Sequence, residues 1–198
     1  MIHVFFAEIP DRKDDCGNFE PLPPEWENYV CGIKDESRRR QSLYSRRLLV
    51  LALQALRIKA EEFVSDESGR WKIKNPPTEV DFSLSHSKNA VAVAVLTNAR
   101  DEKVGVDTEL VSERILKLGA RIAGEEETRL SAEGLTRIWT KKESAYKAGT
   151  DIKSAFFATK TREVCGEKYV VTVACASKKE IEKTKFYRIN DYKRIPYI

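Results

Sequence analysis

The sequence has few of the residues that build metal clusters, disulfide frameworks or membrane spans. Its 198 residues include four cysteines and two histidines, and the cysteines form neither a CxxC pair nor a zinc-ligand spacing. Such thiols are typical of a reduced intracellular protein. The apolar runs Leu48 to Leu53 and Ala90 to Leu96 are far shorter than the roughly 18 residues of a membrane span. Because the start also turns acidic at Glu8, too early for a signal peptide, we expect a soluble, cytoplasmic protein that does not bind membranes.

An excess of one charge is also missing. The chain has 35 Lys and Arg against 31 Asp and Glu, a formal net charge of +4. This balance fits an anionic ligand or an acidic partner, but it is too small to indicate a nucleic-acid-binding protein. With 41% apolar and 33% charged residues, the composition is that of a globular protein of one large or two small domains.

Hydrophobic periodicity predicts an α+β fold with largely antiparallel sheets. The pattern predicts a helix from Asp35 to about Val64 and an interior strand at 90–97, which is apolar on both faces. The order of elements after residue 103 resembles the order before it, so we expect an N-terminal half, 1–103, and a C-terminal half, 104–198. The other predicted strands are 2–8, 71–74, 82–85, 103–110, 155–164, 168–176 and 184–189, and the other predicted helices are 112–123, 124–131 and 132–148.

Two carboxylates, Asp107 and Glu109, lie two residues apart in the segment 105–109, GVDTE. Side chains alternate along a strand, so both point to one face together with Gly105, about 7 Å from each other. Their repulsion, about 2 kcal/mol at an effective dielectric of about 20, would be reversed by a shared divalent cation. Gly105 would leave room for a ligand beside the backbone. The alternative is a solvated acidic strand end.

A helical segment, 139–147 (WTKKESAYK), places Trp139, Glu143 and Lys147 on one face. In one interpretation, Glu143 and Lys147 form a simple surface pair with i,i+4 spacing. In the other, Glu143 is a third carboxylate for the same cation and Lys147 contacts the anion that the cation holds.

Two further segments have side chains that could bind an anion. The segment 82–87 (FSLSHS) is predicted to end a strand in a Ser-His-Ser turn, where His86 contacts an anion or simply hydrogen-bonds within the turn. A serine-hydrolase interpretation fails because neither serine lies in a GxSxG elbow. Arginines at the start of the long helix, among them Arg39 and Arg46 seven residues apart, suit terminal phosphates. A solvated helix start is the alternative.

Taken together and in this order, these segments resemble the 4′-phosphopantetheinyl transferase superfamily. That family has an Asn-Ile/Leu-Ser-His-Ser segment, then Gly-Ile/Val-Asp-x-Glu, then Trp-Ser/Thr-x-Lys-Glu-Ala/Ser-x-x-Lys. Here they read SLSHS at 83–87, GVDTE at 105–109 and WTKKESAYK at 139–147, with Ser83 in place of the asparagine. Gly69-Arg70 is similar to a Gly-Lys/Arg-Pro segment, with Trp71 where proline is usual. The length favours the Sfp-like, pseudo-dimeric branch, which implies two similar halves related by pseudo-twofold symmetry and a monomeric chain.

The resemblance implies transfer of phosphopantetheine from coenzyme A to a serine of an acyl or peptidyl carrier protein, with release of 3′,5′-ADP. It implies Mg²⁺ on Asp107, Glu109 and Glu143, with Glu143, Lys147 and His86 as catalytic residues. The coenzyme A contacts it implies are Arg39, Arg46, Arg70, Ser85, His86 and Lys147. Two alternatives stay open: a non-catalytic module that binds a nucleotide or carrier protein, and a Mg²⁺-dependent phosphodiesterase acting on coenzyme A.

Overall fold

The computed structural model describes residues 1–10, 21–60, 62–67, 69–76, 78–123, 130–190 and 192. Its fold is α+β with antiparallel sheets, as the sequence predicts. The strands are β1 (Ile2–Glu8), β2 (Phe63–Ser65), β3 (Trp71–Ile73), β4 (Val80–Ser87), β5 (Ala90–Thr97), β6 (Val104–Leu110), β7 (Phe156–Val164), β8 (Glu167–Cys175) and β9 (Lys185–Ile189). The α-helices are α1 (Pro24–Cys31), α2 (Glu36–Ala55), α3 (Gly119–Ala123), α4 (Ala132–Lys147) and α5 (Lys178–Glu182), and Glu113–Leu118 forms a 3₁₀-helix.

The two larger sheets share a strand arrangement. The first has the order β4-β5-β1-β9, and the second has the order β6-β8-β7. In the first sheet, β1 precedes the long helix α2 and pairs antiparallel with β5, the second strand of the hairpin that follows α2. In the second sheet, β6 precedes α4 and pairs antiparallel with β8, the second strand of the hairpin that follows α4. The last strand, β9, returns to the first sheet and pairs parallel with β1. A small hairpin, β2-β3, is not hydrogen-bonded to either of these sheets.

The first sheet is buried on both faces. Helix α2 packs on one face with Leu49 and Leu53 against Phe5 and Val93. The other face packs on the second sheet, where Val4 shares a core with β6 and β8. Every residue of β5 from Ala90 to Leu96 is fully buried, which confirms the predicted interior strand.

Helix α2 ends nine residues before the predicted end at Val64. Its side-chain cap, Asp35, accepts a bond from Arg38 N, and its last turn closes with Ile58 N bonded to Leu53 O and Arg57 N to Gln54 O. Arg57 takes a left-handed backbone, φ 57°, so this is a Schellman-type stop without glycine. The apolar spacing continues past this stop because Phe63 enters the same core from strand β2.

Two other predictions needed correction. The Ser85-His86-Ser87 segment lies within β4, and the turn follows it at Lys88 and Asn89. The predicted helix at 112–123 is a 3₁₀-helix followed by the short α3, and most of the one predicted at 124–131 lies outside the described residues. No helix among the described residues is long and apolar enough to cross a membrane.

Candidate functional site

The site lies where β6 packs between β4 of the first sheet and α4. Alternate polar side chains of β4 accept hydrogen bonds from alternate backbone N–H groups of β6. They take the place that backbone carbonyls hold in a regular ladder. The bonds are Val104 N to Asp81 Oδ2 (2.7 Å), Val106 N to Ser83 Oγ (3.1 Å), Thr108 N to Ser85 Oγ (3.2 Å) and Leu110 N to Ser87 Oγ (3.2 Å).

Gly105 allows α4 to approach β6 to backbone contact. A Cβ atom at this position would lie 1.9 Å from Ser144 O and 2.6 Å from Ala148 N. The expectation that this glycine leaves room for a ligand is therefore wrong, because the C-terminal end of α4 fills that space. The close approach places Lys147, in the last turn of α4, directly over Asp107.

Lys147 and Asp107 form the central ion pair of the site. Lys147 Nζ lies 2.7 Å from Asp107 Oδ1 and 3.2 Å from both Ser85 Oγ and Val106 O. Ser85 Oγ also donates to Asp107 Oδ1 at 2.8 Å. Burial raises the pKa of Asp107, and the charge of Lys147 opposes that rise. The partner of Lys147 is therefore the carboxylate of the neighbouring strand, so the simple surface pair with Glu143 is not what forms.

Glu109 occupies the next outward position on the same face of β6. Its Oε2 accepts a hydrogen bond from Ser87 Oγ at 2.8 Å. Its pKa is raised, first by burial and then by the negative charge of Asp107. Asp107 is thus close enough to disfavour the ionised form of Glu109, in agreement with the alternation of β6, which predicts both carboxylates on one face.

Two of the three predicted acids, Asp107 and Glu109, have carboxylate oxygens suited to a magnesium ion. Asp107 Oδ2 is buried and has no hydrogen-bond partner among the described atoms, so one lone-pair side of a buried carboxylate is left open. Mg²⁺ is usually bound by one or two carboxylates, with water and substrate phosphates completing its shell. Glu143 is half-buried on α4, one turn before Lys147, and the described residues contain no group of three acidic, histidine or cysteine side chains that could hold a metal.

A basic and aromatic cavity of about 520 Å³ opens at one end of this cleft, next to Ser83 and Lys147. Four of its lining side chains are cationic and four are aromatic. No carboxylate is found among the described lining residues. The cations are Arg46, Arg70, Lys103 and Lys147, and the aromatic residues are Tyr29, Trp71, Phe82 and Tyr146.

Arg46 is a buried cation without a carboxylate. It is 6% exposed, and among the described residues no acidic side chain forms an ion pair with it. Its Nη1 donates to Ser42 Oγ at 2.6 Å, and its guanidinium lies 4.4 Å from the centre of the Tyr29 ring and 5.9 Å from that of Trp71. Burial lowers its pKa. A buried charge of this kind is costly unless it is paired, so an anion in the cavity would complete it.

Arg70 also lines the cavity, but its terminal nitrogens are bonded to the protein. Nη2 donates to Asp81 Oδ2 at 2.5 Å and to Val104 O at 2.9 Å, and Nη1 donates to Lys147 O. Arg70 therefore ties the start of β3 to β4, β6 and the end of α4. Its predicted contact with coenzyme A stays a prediction, and its visible role is to fix the backbone that carries Lys147.

His86 and Arg39 lie outside the lining of this cavity. Both side chains are exposed, His86 on β4 and Arg39 on α2. The surrounding protein still removes part of the water around the His86 imidazole, and this loss, followed by the positive charges of Lys147 and Arg46, lowers its pKa. The positive charges of Lys147 and Arg46 thus act on His86, and its predicted contact with an anion stays a prediction.

A second cavity, of about 750 Å³, lies at the opposite end of the cleft and is bordered by Ser87 and Glu109. Its wall combines apolar side chains of β6, the 3₁₀-helix, α3 and α4 with two cations, Lys88 and Arg114, and two carboxylates, Glu109 and Glu167. The cleft therefore runs from a cationic and aromatic cavity, through the Lys147–Asp107 pair, to a second cavity that is partly apolar and has charges of both signs. The apolar lining residues are Leu110, Ile115, Leu118, Ile122 and Trp139.

Sequence reasoning missed several of these residues. Asp81, Lys103, Tyr29 and Tyr146 were not predicted to take part. Asp81 could have been found, because it begins an alternating set of polar residues that continues through Ser83, Ser85 and Ser87. Nothing in the pattern signals the others, which depend on tertiary packing. In comparisons with known proteins, no family model and no curated protein matches this chain.

Proposed function

We propose that the chain is a 4′-phosphopantetheinyl transferase, which moves phosphopantetheine from coenzyme A to a serine of an acyl or peptidyl carrier protein and releases 3′,5′-ADP. The observation that carries this proposal is the position of the Lys147–Asp107 pair between the two cavities. Coenzyme A has the same order of parts: a phosphorylated nucleoside, a pyrophosphate and a largely uncharged arm. The family resemblance of the three segments supports the same activity.

The nucleotide belongs in the cationic cavity. Arg46 is buried there without a carboxylate, and a planar guanidinium binds phosphate oxygens in two places. His86 and Lys147 would contact the pyrophosphate beside it, and Ser85 would orient Lys147 through the 3.2 Å bond between them. Arg39 and Arg70 are the further cations that the resemblance assigns to coenzyme A.

Mg²⁺ would be held by Asp107 and Glu109, with Glu143 as the third predicted ligand. When bound, it supplies charge neutralisation for the pyrophosphate oxygens. In the chemical step, the carrier serine oxygen forms a bond to the phosphorus and the bond to 3′,5′-ADP breaks. Glu143 takes the proton from the serine, directly or through water. Lys147 stabilises charge on the phosphoryl oxygens and keeps Asp107 in place.

The nucleophile belongs to the partner, which accounts for a site rich in acids and cations with no hydrolase-type serine in its motifs. Carrier proteins are commonly acidic, and Arg114 is the cation of the second cavity that could meet such a partner, because Lys88 is already paired with Glu167 at 2.5 Å. An acidic partner is what the family resemblance implies. The chain would act as a monomer, because both sides of the cleft come from one chain.

The shared strand arrangement supports two halves, 1–103 and 104–198, related by pseudo-twofold symmetry. The orders β4-β5-β1 and β7-β8-β6 are equivalent, and α2 packs on β5 as α4 packs on β8. In this arrangement the site lies between the halves, with β4 from one and β6 and α4 from the other. β9 would be an addition to the first half from the end of the chain.

Release of 3′,5′-ADP separates this function from its two alternatives. Coenzyme A and Mg²⁺ are incubated with the chain, with or without apo carrier proteins, and the products are quantified by chromatography. A transferase releases 3′,5′-ADP only when a carrier protein is present. A phosphodiesterase releases it in both cases, and a binding module releases none with any carrier of the fatty acid, polyketide or nonribosomal peptide classes.

A further inference from the structure

Tyr146 is the most exposed of the large hydrophobic side chains that the structure describes. Its side chain is 82% exposed, although it lies on α4 immediately before Lys147 and lines the cationic cavity. The family pattern leaves this position open. Among the described residues, the ring of Tyr146 has no hydrogen bond and no aromatic contact.

The backbone under this ring is fixed. Helix α4 ends in a Schellman motif, in which Thr150 N donates to Ala145 O at 3.1 Å and Gly149 N donates to Tyr146 O at 2.9 Å. Gly149 has the left-handed conformation that this motif requires, φ 65°. Tyr146 is therefore held at the cavity by a rigid helix end while its ring remains uncovered.

The other aromatic lining residues are already held in place, Phe82 in the core and Tyr29 and Trp71 against each other. The rings of Tyr29 and Trp71 meet edge to face with centroids 5.9 Å apart, and both lie within 6 Å of the Arg46 guanidinium. They come from α1 and β3, while Tyr146 comes from α4. The cavity thus combines cations with aromatic surface from two parts of the chain, a combination suited to a planar ring that carries phosphate groups.

We infer that Tyr146 binds the nucleobase of the substrate by stacking on it, while the cations of the cavity hold the phosphates. This inference rests on the proposed function and adds to it a residue that contributes base affinity. Stacking covers an aromatic face that otherwise stays in water, and each stacked base contributes substantially to nucleotide affinity in other proteins. Because every base has such a face, Tyr146 would contribute affinity for the ring without reading its identity.

The test compares two probes on the full chain by isothermal titration calorimetry: 3′,5′-ADP, which has the base, and inorganic pyrophosphate, which does not. Tyr146→Ala is expected to raise the Kd for 3′,5′-ADP about tenfold and to leave the Kd for pyrophosphate unchanged. Tyr146→Phe, which keeps the ring, should bind 3′,5′-ADP like the wild type. Phe156→Ala is the matched control, because Phe156 is also an exposed ring, 40%, and lies outside the cavity.

Three results would overturn the inference. Unchanged 3′,5′-ADP affinity in Tyr146→Ala would show that the ring does not contact the base. An equal loss for both probes would assign Tyr146 to the phosphates instead. An equal loss in Phe156→Ala would show a general effect of removing a surface ring. If the wild-type chain bound neither 3′,5′-ADP nor coenzyme A, the proposed function would fail as well, and this result is distinct from the other three.

Discussion

Lys147 Nζ lies 2.7 Å from Asp107 Oδ1, and the pair joins the last turn of α4 to the middle of β6. The side chain of Asp107 is 5% exposed and that of Lys147 is 28% exposed. The positive charge of Lys147 is therefore the main stabilising partner of a carboxylate that is almost fully buried.

Replacing Lys147 by methionine should destabilise the fold by about 1–3 kcal/mol, because Asp107 is left as a buried charge without its partner. The same change should lower the rate of carrier modification on the order of 10²-fold or more, because charge on the transferring phosphoryl group loses a donor. Urea denaturation and carrier modification measure the two effects.

The control for that variant is Lys178→Met. Lys178 pairs with Glu182 at 3.8 Å on α5, and both side chains are mostly exposed, so this variant should match the wild type in both measurements. A Lys147→Met protein that kept full activity would exclude the lysine from the chemistry, whatever its stability.

Gly105→Ala should be among the most destabilising single substitutions in the chain, at about 3 kcal/mol or more. The added Cβ would overlap Ser144 O and Ala148 N, which are backbone atoms that cannot rotate away. Gly32→Ala is the matched control, because its Cβ would lie at least 3.4 Å from its neighbours and its backbone is already helical. Equal denaturation midpoints for the two variants would contradict the close contact between α4 and β6.

Glu109→Gln should stabilise the protein at neutral pH in the absence of Mg²⁺. The folded-state pKa of Glu109 is raised by burial and by Asp107, so the stability that its protonated form contributes is present at acidic pH and is lost as the pH rises through that pKa. The amide keeps an acceptor for Ser87 and removes the charge. Denaturation at several pH values should show the advantage of the variant at neutral pH and its disappearance in acid.

Magnesium should reverse the order of stability of the wild type and Glu109→Gln. Mg²⁺ raises the melting temperature of a protein only if it binds the folded state more tightly than the unfolded state. We expect it to stabilise the wild type more than Glu109→Gln. If Mg²⁺ stabilised both proteins equally, Glu109 would not be a ligand.

Binding of 3′,5′-ADP should raise the pKa of His86. Loss of solvation and the charges of Lys147 and Arg46 lower this pKa in the free protein, and a bound phosphate would oppose those charges. The chain has two histidines, so NMR titration can follow each imidazole separately. His3, whose pKa is lowered to about 4 mainly by burial, is the internal control. An unchanged His86 titration in the presence of saturating ligand would place the phosphates elsewhere.

The sequence predicted most of the strands and the main helices because their periodicity is strong. Strand β5 matches its prediction at both ends, because its apolar run is bounded by turn residues. The end of α2 was missed because the apolar spacing continues to Phe63, while Arg57, a residue with no conformational preference for the left-handed region, closes the helix.

The candidate site was predicted in part. The alternation of β6 correctly placed Asp107 and Glu109 on one face, since a strand leaves no other choice. Two features of the site depend on contacts between distant elements, so the local sequence pattern could not predict them. Lys147 turns to Asp107 because Gly105 brings α4 against β6, and the serines of β4 bind the backbone of β6 because the two strands lie side by side without a regular ladder.

The central claim is that this cleft transfers phosphopantetheine, and the mass of a carrier protein tests it most directly. An apo carrier protein is incubated with the chain, coenzyme A and Mg²⁺ and then analysed by mass spectrometry. We predict the gain of one phosphopantetheine group on one serine, which is lost with Asp107→Ala or Glu143→Ala. Unmodified apo carriers of the fatty acid, polyketide and nonribosomal peptide classes, incubated with chain that binds coenzyme A, would contradict the claim.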